Sequence, residues 1–65
     1  MTLIQAQERL ARIAASAYDD EIAHSLEDNF HQDVLKEVAS NNPQSSELAK
    51  IALLTLDLDF RRWCS

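Results

Sequence analysis

The stretch Leu48-Ala49-Lys50-Ile51-Ala52-Leu53-Leu54-Thr55-Leu56-Asp57-Leu58-Asp59-Phe60 decides the fold, because it reads in two ways. Leu54, Leu56, Leu58 and Phe60 alternate with Thr55, Asp57 and Asp59, which is the period of a half-buried strand. At helical spacing the same residues give two stripes. One is Leu53, Leu56, Phe60 and Trp63; the other is Leu48, Ile51, Leu54 or Thr55, and Leu58. Leu favours helix over strand, and Asp disfavours strand. Asp57 and Arg61 also have the i,i+4 spacing of a helical ion pair. A helix over about residues 48–63 is therefore expected, apolar on two sides and buried on two sides.

Working back from that segment, Asn41-Asn42-Pro43 marks a stop. Asn tolerates the left-handed conformation that ends helices, and Pro cannot continue one. Ser45 or Ser46 then caps the third helix, with Glu47 in its first turn where the helix dipole favours an acid. Before the stop, a second helix runs from about Asp20 to Ser40. Its apolar set is Ile22, Leu26, Phe30, Val34 and Val38, with Leu35 beside it.

The first helix spans about residues 3–18. Thr2 and Gln5 have capping-box spacing. Leu3, Ala6, Leu10, Ile13 and Ala17 share one stripe. Extended further, that stripe meets only polar residues: Asp20, His24, Glu27 and His31. A break near Tyr18–Asp20, capped by Asp19 or Asp20, explains the change of face; a continuous bent helix is the alternative. The expected fold is all-α. Residues 1–65 form a single small domain, a three-helix bundle with the hydrophobic third helix central. A core this small is marginal alone, and oligomerisation is one remedy. A homodimer is expected, with Leu53, Leu56, Phe60 and Trp63 as its buried or hot-spot set.

Composition narrows the function classes. No Gly and one Pro in 65 residues exclude Gly-rich phosphate loops and disfavour turn-rich β folds. The single Cys64 excludes an intrachain disulfide framework and fits a reducing compartment. Eleven acids against six bases leave −5, too acidic for phosphate contacts, so no direct nucleic-acid partner is expected. No apolar run reaches the roughly 18 residues of a membrane span, and no signal-peptide pattern opens the chain. A cytoplasmic location with no membrane partner is the expectation.

The acidity is concentrated. Residues 19–37 hold seven acids and one lysine, net −6. Asp20, Glu27 and Asp28, with the neighbouring Asp19 and Glu21 and with His31 nearby, form a candidate acidic face for a partner with a basic surface. A merely solvated face has the same composition. Glu21-x-x-His24 and Asp28-x-x-His31 resemble the acid–histidine spacing of helical di-metal sites, so His24, Asp28 and His31 make an alternative metal set. No cofactor is expected. Cys64 sits where a frayed terminus cannot hold a nucleophile, and no other pattern suggests catalysis. The leading expectation is a non-catalytic protein-binding module. The alternatives are a metal-binding helical protein and a structural homo-oligomeric subunit.

Two stretches carry a resemblance. Glu27-Asp28-x-x-His31-x-x-Val34-Leu35 and the ending Asp59-Phe60-x-Arg62-Trp63-Cys64 resemble small accessory proteins of phages and prophages in enterobacteria. The resemblance implies a genomic setting rich in small inhibitors and adaptors of host proteins. It implies no activity.

Overall fold

Local hydrogen-bond chemistry sets the first two helix boundaries. The computed structural model describes residues 1–61, and the expectations placed on Trp63 and Cys64 lie outside the described residues. α1 runs Leu3–Ala15. The Gln5 amide donates to Thr2 Oγ1 at 3.1 Å, and the Thr2 amide donates back to Gln5 Oε1 at 2.9 Å. This reciprocal box satisfies two N–H groups that a helix start otherwise leaves unpaired. α1 ends short of residue 18, and Ser16–Tyr18 turn the chain.

α2 runs Asp20–Ala39. Asp19, in extended conformation, accepts from the Glu21 and Ile22 amides at 3.1 and 3.2 Å. The chain therefore breaks between α1 and α2, at one of the two aspartates the sequence proposes. α2 ends as the Asn-Asn-Pro signal requires. Asn41 has φ 60°, in the left-handed region. The Asn42 amide reaches the Glu37 carbonyl, and the Asn41 amide reaches that of Val38, each at 3.1 Å. These two bonds make a Schellman motif.

α3 runs Ser45–Leu53, followed by a 3₁₀ turn over Leu54–Asp57 and extended backbone at Leu58. Two expectations are corrected here. Neither Ser45 nor Ser46 caps the helix: Gln44 holds the cap position, and Asn42 accepts from the Gln44 and Ser45 amides through its side chain and carbonyl. The helix also stops well before residue 63. At its end Thr55 Oγ1 donates to the Ala52 carbonyl at 2.9 Å, and His31 of α2 approaches the same carbonyl. With that carbonyl occupied from the side, the last turn tightens to 3₁₀. The alternating Leu54–Phe60 run forms no strand; no strand occurs among the described residues.

α3 packs against both α1 and α2, which also touch each other. The buried core is Ala6 and Ile13 of α1, Ala23, Phe30 and Val34 of α2, Leu48 and Ala52 of α3, and Phe60. Small alanines from all three helices let the backbones approach. Phe30 is fully buried and is the largest such side chain, contributing about 2–3 kcal/mol by burial. The Arg9 guanidinium lies 5.3 Å from its ring centroid. The radius of gyration is 11.5 Å, against about 11 Å expected for a folded chain of this length.

The α1 stripe and the Leu48, Ile51, Thr55 and Leu58 stripe face inward as expected, but the α2 stripe and the Leu53, Leu56 and Phe60 stripe do not. On α2 the stripe is Ala23, Glu27, Phe30 and Val34, while Ile22, Leu35 and Val38 are exposed. In the third segment Leu48 and Thr55 are buried and Ile51 and Leu58 half-buried. Leu53 and Leu56 are exposed, and Phe60 alone of the proposed set is buried among the described residues. Leu53, Leu56 and Phe60 never share a helical stripe, because the helix ends at Leu53.

Candidate interaction surface

The acids of α2 divide into two groups by what neutralises them. In the C-terminal half, Asp33 pairs with Arg9 at 3.0 Å and lies 3.9 Å from Lys36. Glu37 binds the Met1 amino group and accepts from Asn42 Nδ2 at 2.9 Å. The bond from the Met1 ammonium, then that from Asn42, hold the Glu37 carboxyl below its usual range. In the N-terminal half no lysine or arginine side chain pairs with Asp20, Glu21 or Asp28 among the described residues. Asp19 is spent on the cap, and Asp20 accepts from the Arg61 amide at 3.1 Å.

The proposed acidic face is thereby redrawn. Glu27 does not belong to it: only 3% of the residue is exposed. It lies one turn from Ala23 and from Phe30, so its place on the core stripe follows from helical spacing. No buried side-chain nitrogen or oxygen lacks a partner among the described residues. Asp28 is exposed, with His24 Nε2 at 3.6 Å. Glu21 is exposed two turns before Asp28, on the same flank. Sequence reasoning included Glu21 only as a neighbour of that face.

His31 also leaves the acidic face. Its Nε2 lies 3.0 Å from the Ala52 carbonyl and 2.8 Å from Thr55 Oγ1. A carbonyl only accepts, so Nε2 carries a proton here. Thr55 spends its own hydroxyl proton on Ala52, which leaves its oxygen to accept from His31. This inward geometry turns His31 away from His24 and Asp28. His31 Nε2 is committed to α3, and no cluster of three or more metal-ligating side chains occurs among the described residues.

Beside this contact lies a groove that the sequence did not reveal. It has a volume of about 270 Å³ and is lined by His31, Val34, Leu35, Ala49, Ala52 and Leu53. Leu35 is 65% exposed and Leu53 61% exposed. The available signal was Leu35 itself, a large aliphatic side chain off the core stripe. A second recess, about 350 Å³, runs along α1 past Met1, Gln5, Glu8, Arg9 and Arg12. Its Arg9 is already engaged by Asp33 and Phe30.

No family model, curated protein or solved structure matches the chain. No helix among the described residues is long and apolar enough to cross a membrane.

Proposed function

We propose that this chain is a non-catalytic protein-binding module whose charged contact surface is the N-terminal flank of α2. The observation that carries this reading is the division of α2. Asp33 and Glu37 are matched by cations of the same chain, whereas Asp20, Glu21 and Asp28 have no Lys or Arg side chain paired to them among the described residues. Unmatched acids on a rigid helix are available to a basic surface, and they act chiefly on association rate and specificity. The resemblance to phage accessory proteins supports a host protein as the partner. His24, Asp28 and His31 do not converge, so the metal-binding alternative is not carried forward.

The test is affinity capture from host lysate with the wild-type chain beside the triple variant Asp20→Asn, Glu21→Gln, Asp28→Asn, at low and high salt. The reading expects one partner that high salt releases and the variant fails to hold. Retention by the variant, unchanged by salt, refutes it.

A further inference from the structure

The open seam between α2 and α3 points to the kind of partner. We infer that this groove seats the apolar face of an amphipathic helix whose flanking residues are basic. This rests on the protein-binding reading above and gives it a location.

Three observations lead there. First, α1 covers only one side of the α2–α3 pair. It reaches α2 through Arg9–Asp33 and Met1–Glu37. Leu35 lies two residues from both Asp33 and Glu37, and so on the far side of the helix. The opposite side of the seam is where the groove opens. A trough between two packed helices has the shape that accepts a further helix.

Second, the walls are apolar and His31, their one titratable group, is turned to Ala52 and Thr55. Leu35 and Leu53 stand exposed at the two lips. Leu56, also exposed, follows Leu53 by three residues, the spacing that keeps side chains aligned through a 3₁₀ turn.

Third, the charge at the margin has one sign on the α2 side. Glu21, Asp28 and Leu35 repeat every two turns and so form one line along the helix, acid, acid, leucine. An occupant lying along that line meets carboxylates beyond the leucine. Lys or Arg at the partner's flanks completes the contact. A second copy of this chain fits less well. It carries net −5 and would bring another acidic α2 toward these acids.

The probe is a synthetic amphipathic peptide of about 14 residues, four helical turns, with leucine on one face and lysine on the other. Its counterpart replaces each lysine by glutamate. Fluorescence anisotropy of the labelled peptides is read against the 65-residue chain, and sedimentation velocity of the chain alone reports self-association. The lysine peptide is expected to bind and the glutamate peptide not. Leu35→Ser and Leu53→Ser, both at exposed positions, should each weaken binding about tenfold. Ile4→Ser on α1, equally exposed, should leave it unchanged. The pair Glu21→Gln and Asp28→Asn should weaken binding and flatten its salt dependence.

No binding, or equal binding of both peptides, overturns the inference. Concentration-dependent dimerisation abolished by Leu35→Ser and Leu53→Ser overturns it in favour of a second copy. Loss with the charge variants but not the leucine variants refutes the groove and leaves the acidic module standing. Loss with the leucine variants alone removes the charged surface and, with it, the basic character assigned to the partner.

Discussion

Replacing Asp19 by Ala tests the break between α1 and α2, because the two sequence readings give opposite signs. In the structure the Asp19 carboxylate accepts from two amides, Glu21 and Ile22, that have no partner within the helix. Removing such a cap costs typically about 1 kcal/mol. The charge adds a favourable interaction with the helix start, about 0.3–1 kcal/mol when exposed. The bonds are 3.1 and 3.2 Å long, toward the weak end of the range, so the expected total loss is about 1 kcal/mol. The entropy of unfolding is about 2.1 cal/mol/K per residue, which for this length gives about 0.14 kcal/mol/K. The melting temperature should therefore fall by about 7 °C. Out of a total stability of about 3–10 kcal/mol, such a loss is readily measured.

In a continuous bent helix Asp19 would be an interior residue. Ala is the better interior residue by up to about 0.7 kcal/mol, and the same substitution would raise the melting temperature. Thermal and urea melts followed by far-ultraviolet circular dichroism distinguish the two. Asp19→Asn serves as the internal control: it keeps the acceptor and loses only the charge, so it should recover more than half of the stability that Asp19→Ala loses. An unchanged or raised melting temperature in Asp19→Ala would falsify the capped break.

Asn41→Gly should leave stability within a few tenths of a kcal/mol, whereas Asn41→Ala should lose about 1 kcal/mol, because at φ 60° Gly has no Cβ to clash and Ala keeps the Cβ without the short polar side chain by which Asn offsets it; equal urea midpoints for the two would contradict the left-handed cap. Thr55→Val keeps the buried shape but removes the hydroxyl between His31 and the Ala52 carbonyl, and should lower stability by about 1–2 kcal/mol and shift the His31 Nε2 proton resonance; an unmoved resonance would show that the contact does not form. Glu37 is held below its usual pKa in the fold, so its stabilisation is present above the unfolded value and is lost as pH falls through the lowered one. Glu37→Gln should accordingly be less stable at neutral pH and lose less on acidification, as read by urea midpoints across the acid range; parallel losses in both proteins would dismiss the role of that carboxylate.

What the sequence made legible was local. The Thr2–Gln5 box, the Asp19 cap and the Asn41 stop each depend on groups within a few residues, and all three form. What it hid was tertiary. Helical spacing leaves Leu54 and Thr55 as alternatives on one stripe and hydrophobicity favours Leu54, yet Thr55 is the buried residue. Hydrophobicity alone cannot rank them, because the deciding partner is His31, 24 residues earlier in sequence. The same contact lies at the end of α3, where Leu53 and Leu56 stay outside the core. Glu27 was hidden for the converse reason. Its charge argues for the surface, while its position one turn from Ala23 and Phe30 argues for the interior, and the position prevails.

The acidic segment shows why net charge is a poor guide to a binding face. Counted along the chain, the acids of residues 19–37 look like one block. In three dimensions Asp33 and Glu37 bind Arg9 and the Met1 amino group, both contributed by the first nine residues, and help to dock α1. Asp19 caps a helix, and Glu27 belongs to the interior. Each of these four has a structural use, which would keep it in place whether or not a partner exists. Only Glu21 and Asp28 are exposed and have no Lys or Arg side chain paired to them among the described residues. They also continue the line of Leu35 into the groove, so charge and apolar surface meet at a single margin. For that reason the discriminating substitutions are the leucines at the lips and these two acids. Neutralising Glu27 would disturb the core and report on folding.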